Sequence, residues 1–186
     1  MRTTPVAVTA ALVAALTLTA CSGESGDDAA KSSTDATSSA DSANGKSTAC
    51  KADQFGIDFG PSSAAPAAGD TGTIPVTLTN QGASCTLDGI PDADVYAGDT
   101  SWAVSPDKAA TATELTMAKD QAVTFTITYV RGVAGDAKKS AAVDTVKFTL
   151  PGDSAPQSYK WPDAEVAVKS GDQLDMTVGP FLPAGD

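Results

Sequence analysis

The chain has 186 residues, with 12 Lys and Arg against 23 Asp and Glu, no histidine and a net charge of −11 at neutral pH. This acidic balance argues against binding to nucleic acid and against adhesion of the domain to anionic lipid. Without histidine, the chain lacks the commonest general base and the commonest metal ligand. We therefore expect no metal ion and no other cofactor.

An apolar segment of Ala, Val and Leu, interrupted only by Thr, covers residues 6–18 and follows a short start with one cation, Arg2. A membrane-spanning helix needs about 20 apolar residues. This segment is shorter, and no basic flank follows it. Its pattern is typical of a secretory signal.

The apolar segment ends in Leu18, Thr19, Ala20 and Cys21, an order that resembles the lipobox of bacterial lipoproteins. The resemblance implies that residues 1–20 are a signal peptide, cut before a cysteine whose thiol carries lipid. Two or more acyl chains give stable anchoring, where one is marginal. We expect attachment to the outer face of the cell membrane through Cys21. The alternatives are an ordinary secretory signal with a chance cysteine, or a single membrane helix.

Residues 22–48 contain no Val, Ile, Leu, Met or aromatic residue. Such a stretch cannot bury enough apolar surface to offset the entropy lost on ordering. We interpret 21–48 as the lipidated cysteine and a disordered linker, which would hold the domain about 30 Å from its anchor by random-coil scaling. Removal of 1–20 takes away one cation, Arg2, so the mature protein carries a charge of −12.

From residue 49 onward, hydrophobic residues recur at every second position. The runs that show this alternation are 55–59, 74–78, 123–129, 146–150 and 174–178. Alternation with β-branched residues predicts half-buried strands.

Turn-forming clusters separate the predicted strands, and no sustained helical period is present. Residues 105–114 are compatible with one helical turn at most. Many short strands in about 140 residues predict an all-β domain at 49–186, a single antiparallel sandwich of immunoglobulin-like architecture. The turn clusters are 61–72, 80–82, 98–99, 119–120, 151–153 and 170–172.

If Cys21 carries lipid, Cys50 and Cys85 remain. Export places them in an oxidising compartment, so we predict a disulfide between them. Closing a loop of this length stabilises a fold by roughly 4 kcal/mol in the chain-entropy treatment. The alternatives are two free thiols or a soft-metal site, and two thiolates without histidine make a poor zinc site.

One cluster of residues carries a family resemblance. Cys50 is followed by residues 76–82, Val-Thr-Leu-Thr-Asn-Gln-Gly, and then by residues 84–91, Ser-Cys-Thr-Leu-Asp-Gly-Ile-Pro. This order resembles the actinobacterial lipoprotein family that contains domain of unknown function 4232. Many members have a Pro-Gly turn where this chain has residues 118–120. The resemblance implies the fold but no activity.

We interpret the residues of this cluster as stabilising the fold and not as a binding or active site. We expect Asn80 to cap a turn, with positive φ available at Asn80 and Gly82. Gly89 and Pro91 are expected to form a corner after the strand.

Three large amphipathic rings, Trp102, Tyr159 and Trp161, are candidates for stacking on sugar or for contact with a partner. The alternative is that they close the ends of the core, which the small number of aromatic residues favours.

Asp88, Asp92 and Asp94 form an acidic corner that is a candidate cation-binding site, because calcium binds several oxygens at short range. Their spacing does not match an EF-hand, which favours a solvated acidic corner.

No residue is assigned a catalytic role, since no serine or lysine lies in a recognisable motif. We therefore predict a non-catalytic binding module in the cell envelope, with an envelope protein or wall glycan as partner. The alternatives are an envelope hydrolase or transferase that uses carboxylates or a Ser-Lys pair, and a carrier of a small ligand or cation.

Overall fold

The structure, a computed structural model, describes residues 48–162 and 165–184. The predictions for the signal peptide, the lipidated cysteine and residues 22–47 of the linker lie outside the described residues. Within the described ranges the chain is β throughout, apart from one 3-10 helix at Ala52–Gln54, so the all-β prediction is confirmed. Residues 105–114, which are compatible with one helical turn at most, form a strand end followed by a turn in which Ala110 N donates to Asp107 O at 3.3 Å.

Strands alternate with short turns along the described chain. Their bounds are β1 Phe55–Phe59, β2 Thr71–Asn80, β3 Cys85–Leu87, β4 Asp92–Ala97, β5 Thr100–Pro106, β6 Leu115–Met117, β7 Ala122–Val130, β8 Ser140–Ala141, β9 Thr145–Thr149, β10 Gln157–Lys160, β11 Val166–Ser170, β12 Gln173–Leu174, β13 Met176–Val178 and β14 Leu182–Pro183.

The main sheet has the order β1-β2-β7-β13-β5-β4-β9-β10, with β14 also pairing with β7. Its neighbours are antiparallel except β13 and β5, which are parallel. The prediction of a purely antiparallel sheet is therefore wrong at this pair. The reason is that β13 lies between β7 and β5, which run in opposite directions, so it is antiparallel to the first and parallel to the second.

The sheet curls until its two end strands meet. Phe59 on β1 lies 4.5 Å from Tyr159 on β10, measured between ring centroids. Phe125 on β7 packs edge-on against Phe148 on β9 at 5.2 Å. These contacts place β1, β2 and β7 opposite β9 and β10 across one core, which gives the two-layer, sandwich-like arrangement.

The alternation read from the sequence sets which side of each strand faces that core. In β7, four hydrophobic side chains are buried while the residues between them are half-exposed. A strand directs successive side chains to opposite faces, so the period of two places one set inside and the other outside. The buried set is Val123, Phe125, Ile127 and Tyr129.

Asn80 is fully buried at the end of β2, and its side chain binds the backbone of two other segments. Its Nδ2 donates to Ala83 O at 3.0 Å, Met117 O at 3.1 Å and Ala118 O at 3.2 Å. Its Oδ1 accepts from Gly82 N at 3.0 Å, so the predicted turn cap is confirmed. Asn80 therefore joins the end of β2 to the turn before β3 and to the end of β6.

Neither Asn80 nor Gly82 uses the positive φ that is available to these residue types. Positive φ occurs instead at Gly89, with φ 114°, and at Asp120, with φ 65°. Asn80 remains extended because it is the last residue of β2 and pairs with Phe55. The corner at Gly89 agrees with its predicted role, because glycine takes positive φ at no steric cost.

Asp120 occupies the turn between β6 and β7, where Gln121 N donates to Ala118 O at 3.2 Å. A left-handed residue at the third position of a turn favours glycine, with proline before it. This explains why a Pro-Gly turn suits the position. We expect Asp120→Val to lower the free energy of unfolding by about 1–2 kcal/mol, and Asp120→Gly to leave it equal or higher. Urea denaturation measures both, and equal losses in the two variants would contradict the strain argument.

Candidate functional site

Cys50 and Cys85 form a disulfide, with 2.04 Å between the sulfur atoms and 4.9 Å between the Cα atoms. The predicted pairing is confirmed, and both residues are buried. Beside the bridge, Cys50 N donates to Thr86 O at 3.0 Å and Thr86 N donates to Thr48 O at 2.9 Å. Residues 48–50 are thus held along β3 at the start of the domain.

Asp153, in the turn between β9 and β10, holds the residues that follow Cys50. Its Oδ2 accepts from Ala52 N at 2.8 Å and its Oδ1 from Ser154 N at 2.7 Å. Lys51 Nζ lies 3.6 Å from Oδ1 and donates to Gly152 O at 2.7 Å. The hydrogen bond from Ala52 N is the main cause that lowers the pKa of this carboxyl group, against the raising effect of burial.

A carboxyl group with a lowered folded pKa stabilises the fold above its unfolded pKa, about 3.9 for Asp, and loses that contribution as the pH falls through the folded value. We expect Asp153→Asn to lower the free energy of unfolding at pH 7 by about 1 kcal/mol, as for one hydrogen bond to a partly exposed charged group. The deficit should shrink as the pH falls below the unfolded pKa of about 3.9. Urea melts from pH 7 to pH 2.5 measure it, with Asp99→Asn at an exposed site as control. A deficit that does not change with pH would contradict this role.

Trp161 is buried, with 3% of its surface exposed, and packs edge-on against Tyr129 at 5.3 Å between centroids. It is therefore not available to stack on a sugar or a partner. The binding interpretation of Trp161 is wrong, and the residue is part of the core. Trp161 fills the core just after β10 ends. Its backbone N donates to Asp144 O at 2.8 Å, which fixes the chain at this point.

Tyr159 and Trp102 are half-buried and pack against the same core. Tyr159 stacks on Phe148 at 5.8 Å with an interplanar angle of 10°, and burial raises the pKa of its phenol. Trp102 lies opposite the buried Val95 in the β4–β5 pair. Their packing favours the interpretation that both rings cover the ends of the hydrophobic core.

Asp88, Asp92 and Asp94 do not converge on a common point. Asp92 and Asp94 lie on one face of β4, opposite Thr149 and Lys147 of β9. Between residues 48 and 184, leaving aside 163–164, no three His, Cys, Asp or Glu side chains lie close enough to hold a metal ion. The acidic corner is therefore a set of separate carboxylates, and the geometry does not support the cation-carrier alternative.

Threonines cover the outward face of β2, β7 and β13. Thr128 on β7 pairs with Thr73 on β2 and with Thr177 on β13, so the three form a row across the strands. The Oγ1 atoms of Thr77 and Thr124, four residues further along the same two strands, lie 3.2 Å apart. Neither β2 nor β7 contains a charged residue. The result is a neutral, hydroxyl-bearing surface on an acidic protein.

A groove crosses this face, with a volume of about 420 Å³. Thr126, Thr128 and Thr177 form its floor. The turn at Asp107 is one wall, and the other consists of Gly179, Pro180 and Leu182. The floor threonines are half-exposed. We call this depression the threonine groove.

Asp107 stands where the threonine groove meets a second depression of about 400 Å³, and Asp107 and Thr177 line both. Lys169 and Gln173 belong to the second depression. Asp107 Oδ1 accepts from Ala109 N at 2.9 Å, which orients the carboxylate. Both volumes fall within the range of ligand pockets in proteins. The pair forms one elongated surface with hydroxyl, amide, carboxylate and ammonium groups.

Sequence reasoning did not single out the threonine groove. The alternation in 123–129 indicates that its threonines share a face, but not that Thr177 or Asp107 lies beside them. Those two residues are about 50 and 20 positions from Thr128 in the sequence, so only strand pairing brings them together. No helix among the described residues is long and apolar enough to span a membrane.

The fold and the bridge at its start define a disulfide-bonded, all-β domain. The profile of the family described as Domain of unknown function (DUF4232) matches residues 50–182, so the chain belongs to this family. The resemblance noted around residues 76–91 is thereby confirmed for the domain. No curated protein and no solved structure matches the chain.

Proposed function

We propose that the protein is an extracytoplasmic lipoprotein, anchored by lipid on Cys21, whose domain binds a component of the cell envelope and performs no catalysis. The observation that carries the proposal is the Cys50–Cys85 disulfide at the base of the domain. Disulfides persist in oxidising compartments outside the cytoplasm. The bridge therefore supports export, which is also what residues 1–20 indicate.

The position of the bridge suits a tethered domain. It fixes the point at which the chain enters the fold, 29 residues after Cys21. Lys51 and Ala52, next to the bridge, are held by the turn at Asp153. Any pull on the linker therefore acts on a covalently fixed and hydrogen-bonded entry point.

The two carboxylates with shifted pKa values are not suited to act as general acids. Asp144 and Asp153 both have lowered pKa values, caused first by hydrogen bonds from the backbone N–H groups of Gly98 and Ala52 respectively. A general acid in glycosidase chemistry needs the opposite shift, upward, which an apolar pocket produces. These two groups stabilise turns and are unsuited to donate a proton near neutral pH.

The anchor is tested by Cys21→Ala, with Ser22→Ala as the matched control one position away. We expect the native protein and the Ser22→Ala variant in the membrane fraction, because Cys21 alone offers the thiol that lipid modifies. The Cys21→Ala protein should be soluble or retained as the uncleaved precursor. Fractionation with immunoblotting and intact mass measures this. Membrane attachment of a correctly processed Cys21→Ala protein would contradict the proposal.

Binding is tested by crosslinking the anchored protein in its own cells and identifying what is attached by mass spectrometry. A reproducible envelope component, protein or glycan, is the expected result. Turnover of acyl-transfer or glycosidase probes by the purified protein, with nothing captured, would favour the enzyme alternative.

A further inference from the structure

We infer that the threonine groove is a binding site for a neutral, hydroxyl-rich glycan chain. The inference rests on the proposed function and names the ligand class and the site. The floor of the groove is Thr126, Thr128 and Thr177. Its walls are the Asp107 turn on one side and Gly179, Pro180 and Leu182 on the other.

The floor presents hydroxyl groups that are free to bind a ligand. Elsewhere on the same face, Thr77 and Thr124 bond to each other through their Oγ1 atoms. In the part of the chain that the structure describes, no such partner is found for the hydroxyls of Thr126, Thr128 and Thr177. A threonine hydroxyl donates one hydrogen bond and accepts two, as a sugar hydroxyl does.

The floor is also rigid and regularly spaced. Thr128 and Thr177 are direct partners on adjacent strands, about 5 Å apart, and Thr126 lies two residues from Thr128, about 7 Å away. The χ1 angles of β-branched side chains are restricted. Little side-chain entropy is therefore lost when these hydroxyls bind, which favours affinity for a weakly interacting ligand.

Charge disfavours an anionic ligand. The protein is strongly acidic, so anionic polymers are repelled at long range. The floor strands β7 and β13 contain no charged residue. Lys108 and Lys169 line only the second depression, where Lys169 Nζ lies 3.5 Å from Asp175 Oδ1. Asp107, at the rim, supplies a carboxylate acceptor held by Ala109 N.

The shape favours a chain over a single sugar. The threonine groove adjoins the second depression, since Asp107 and Thr177 line both, and the two have volumes of about 420 and 400 Å³. Apolar groups complete the surface: the ring of Pro180 lines the groove, and Leu182 is 59% exposed at its edge. Sugar rings present both hydroxyls and apolar C–H faces, and this surface matches both.

Threonine is also common in strands for reasons of β-propensity alone. That explanation predicts equal effects of threonine substitutions inside and outside the groove. The experiment therefore compares Thr128→Val with Thr177→Val, and both together, against Thr79→Val on the same face but outside the groove. Valine keeps the shape and the strand preference and removes only the hydroxyl.

The ligand probes are the neutral tetrasaccharides of N-acetylglucosamine, mannose and glucose, with tetragalacturonate as an anionic comparator. The full-length lipidated protein, labelled at threonine methyl groups, is titrated in detergent micelles and followed by NMR. We expect at least one neutral tetrasaccharide to shift the Thr126, Thr128 and Thr177 signals saturably. The double variant should bind about tenfold more weakly, as expected for two neutral hydrogen bonds. Thr79→Val should bind as the native protein does.

The inference is overturned if no neutral tetrasaccharide shifts these signals, if only tetragalacturonate does, or if the double variant binds unchanged. Its failure is distinguishable from failure of the proposed function. If crosslinking in cells captures an envelope protein through another face and no neutral tetrasaccharide shifts the floor signals, the binding module stands and the glycan site falls. If neither crosslinking nor titration detects binding, both fall.

Discussion

Replacing Cys50 and Cys85 together by Ser should lower the free energy of unfolding by about 4 kcal/mol. The bridge closes a loop with a sequence separation of 35 residues. In the chain-entropy treatment, loss of such a closure costs about 4 kcal/mol, because the unfolded chain regains the freedom that the bond removed. Domains of this size have roughly 5–15 kcal/mol in total, so the variant should lie close to unfolding at 37 °C.

Urea denaturation of the native protein and the double variant measures this effect. Cys21→Ser is the matched control, since it removes a cysteine outside the described domain and should leave the midpoint unchanged. The native protein treated with reductant should move toward the double variant. A double variant that loses less than about 1 kcal/mol would show that the hydrogen bonds of residues 48–54 hold the entry segment without the bridge.

Asn80→Asp should lower the free energy of unfolding at pH 7 by about 3 kcal/mol. The substitution keeps the shape but replaces an NH₂ group that donates to three backbone carbonyls with a carboxylate oxygen that faces them. A fully buried carboxylate that keeps only one donor, Gly82 N, is among the costliest local changes in a protein. The new carboxyl group should therefore have a folded pKa well above the unfolded value of about 3.9.

The sign of the pH dependence follows from that raised pKa. A carboxyl group with a raised folded pKa carries no charge penalty below its unfolded pKa, because it is protonated in both states. The free energy of unfolding then falls as the pH rises from the unfolded pKa to the folded pKa. The deficit should therefore be small near pH 3 and full at pH 7. Asn80→Ala, which introduces no titrating group, is the control and should show a deficit that does not change with pH. A constant deficit in Asn80→Asp would contradict the proposed orientation of the amide.

Several features followed from local patterns in the sequence. The alternation in 123–129 predicted a strand with one buried face, because a strand points successive side chains to opposite sides. The Cys50–Cys85 pair followed from compartment and cysteine count. The cap at Asn80 followed from the habit of an Asn side chain to bond the backbone two residues on. Each of these depends on residues close in sequence or on simple counting.

Other features depend on contacts between distant segments, which a local pattern does not encode. Trp161 could be read as a surface ring or as a core ring, and the choice depends on Tyr129, which reaches it only through the fold. The positive φ at Asp120 depends on a turn whose position is set by the pairing of β7 with β2.

The sequence by itself determined the all-β class, the faces of the strands, the disulfide and the family-defining cluster, because these reflect local periodicity and residue chemistry. The tertiary structure alone decided that β13 enters between β7 and β5, parallel to the second. That insertion places Thr177 beside Thr128 and Asp107 at the rim of the threonine groove. Strand order is set by the sum of many long-range side-chain contacts across the core, so it emerges only when the whole chain has packed.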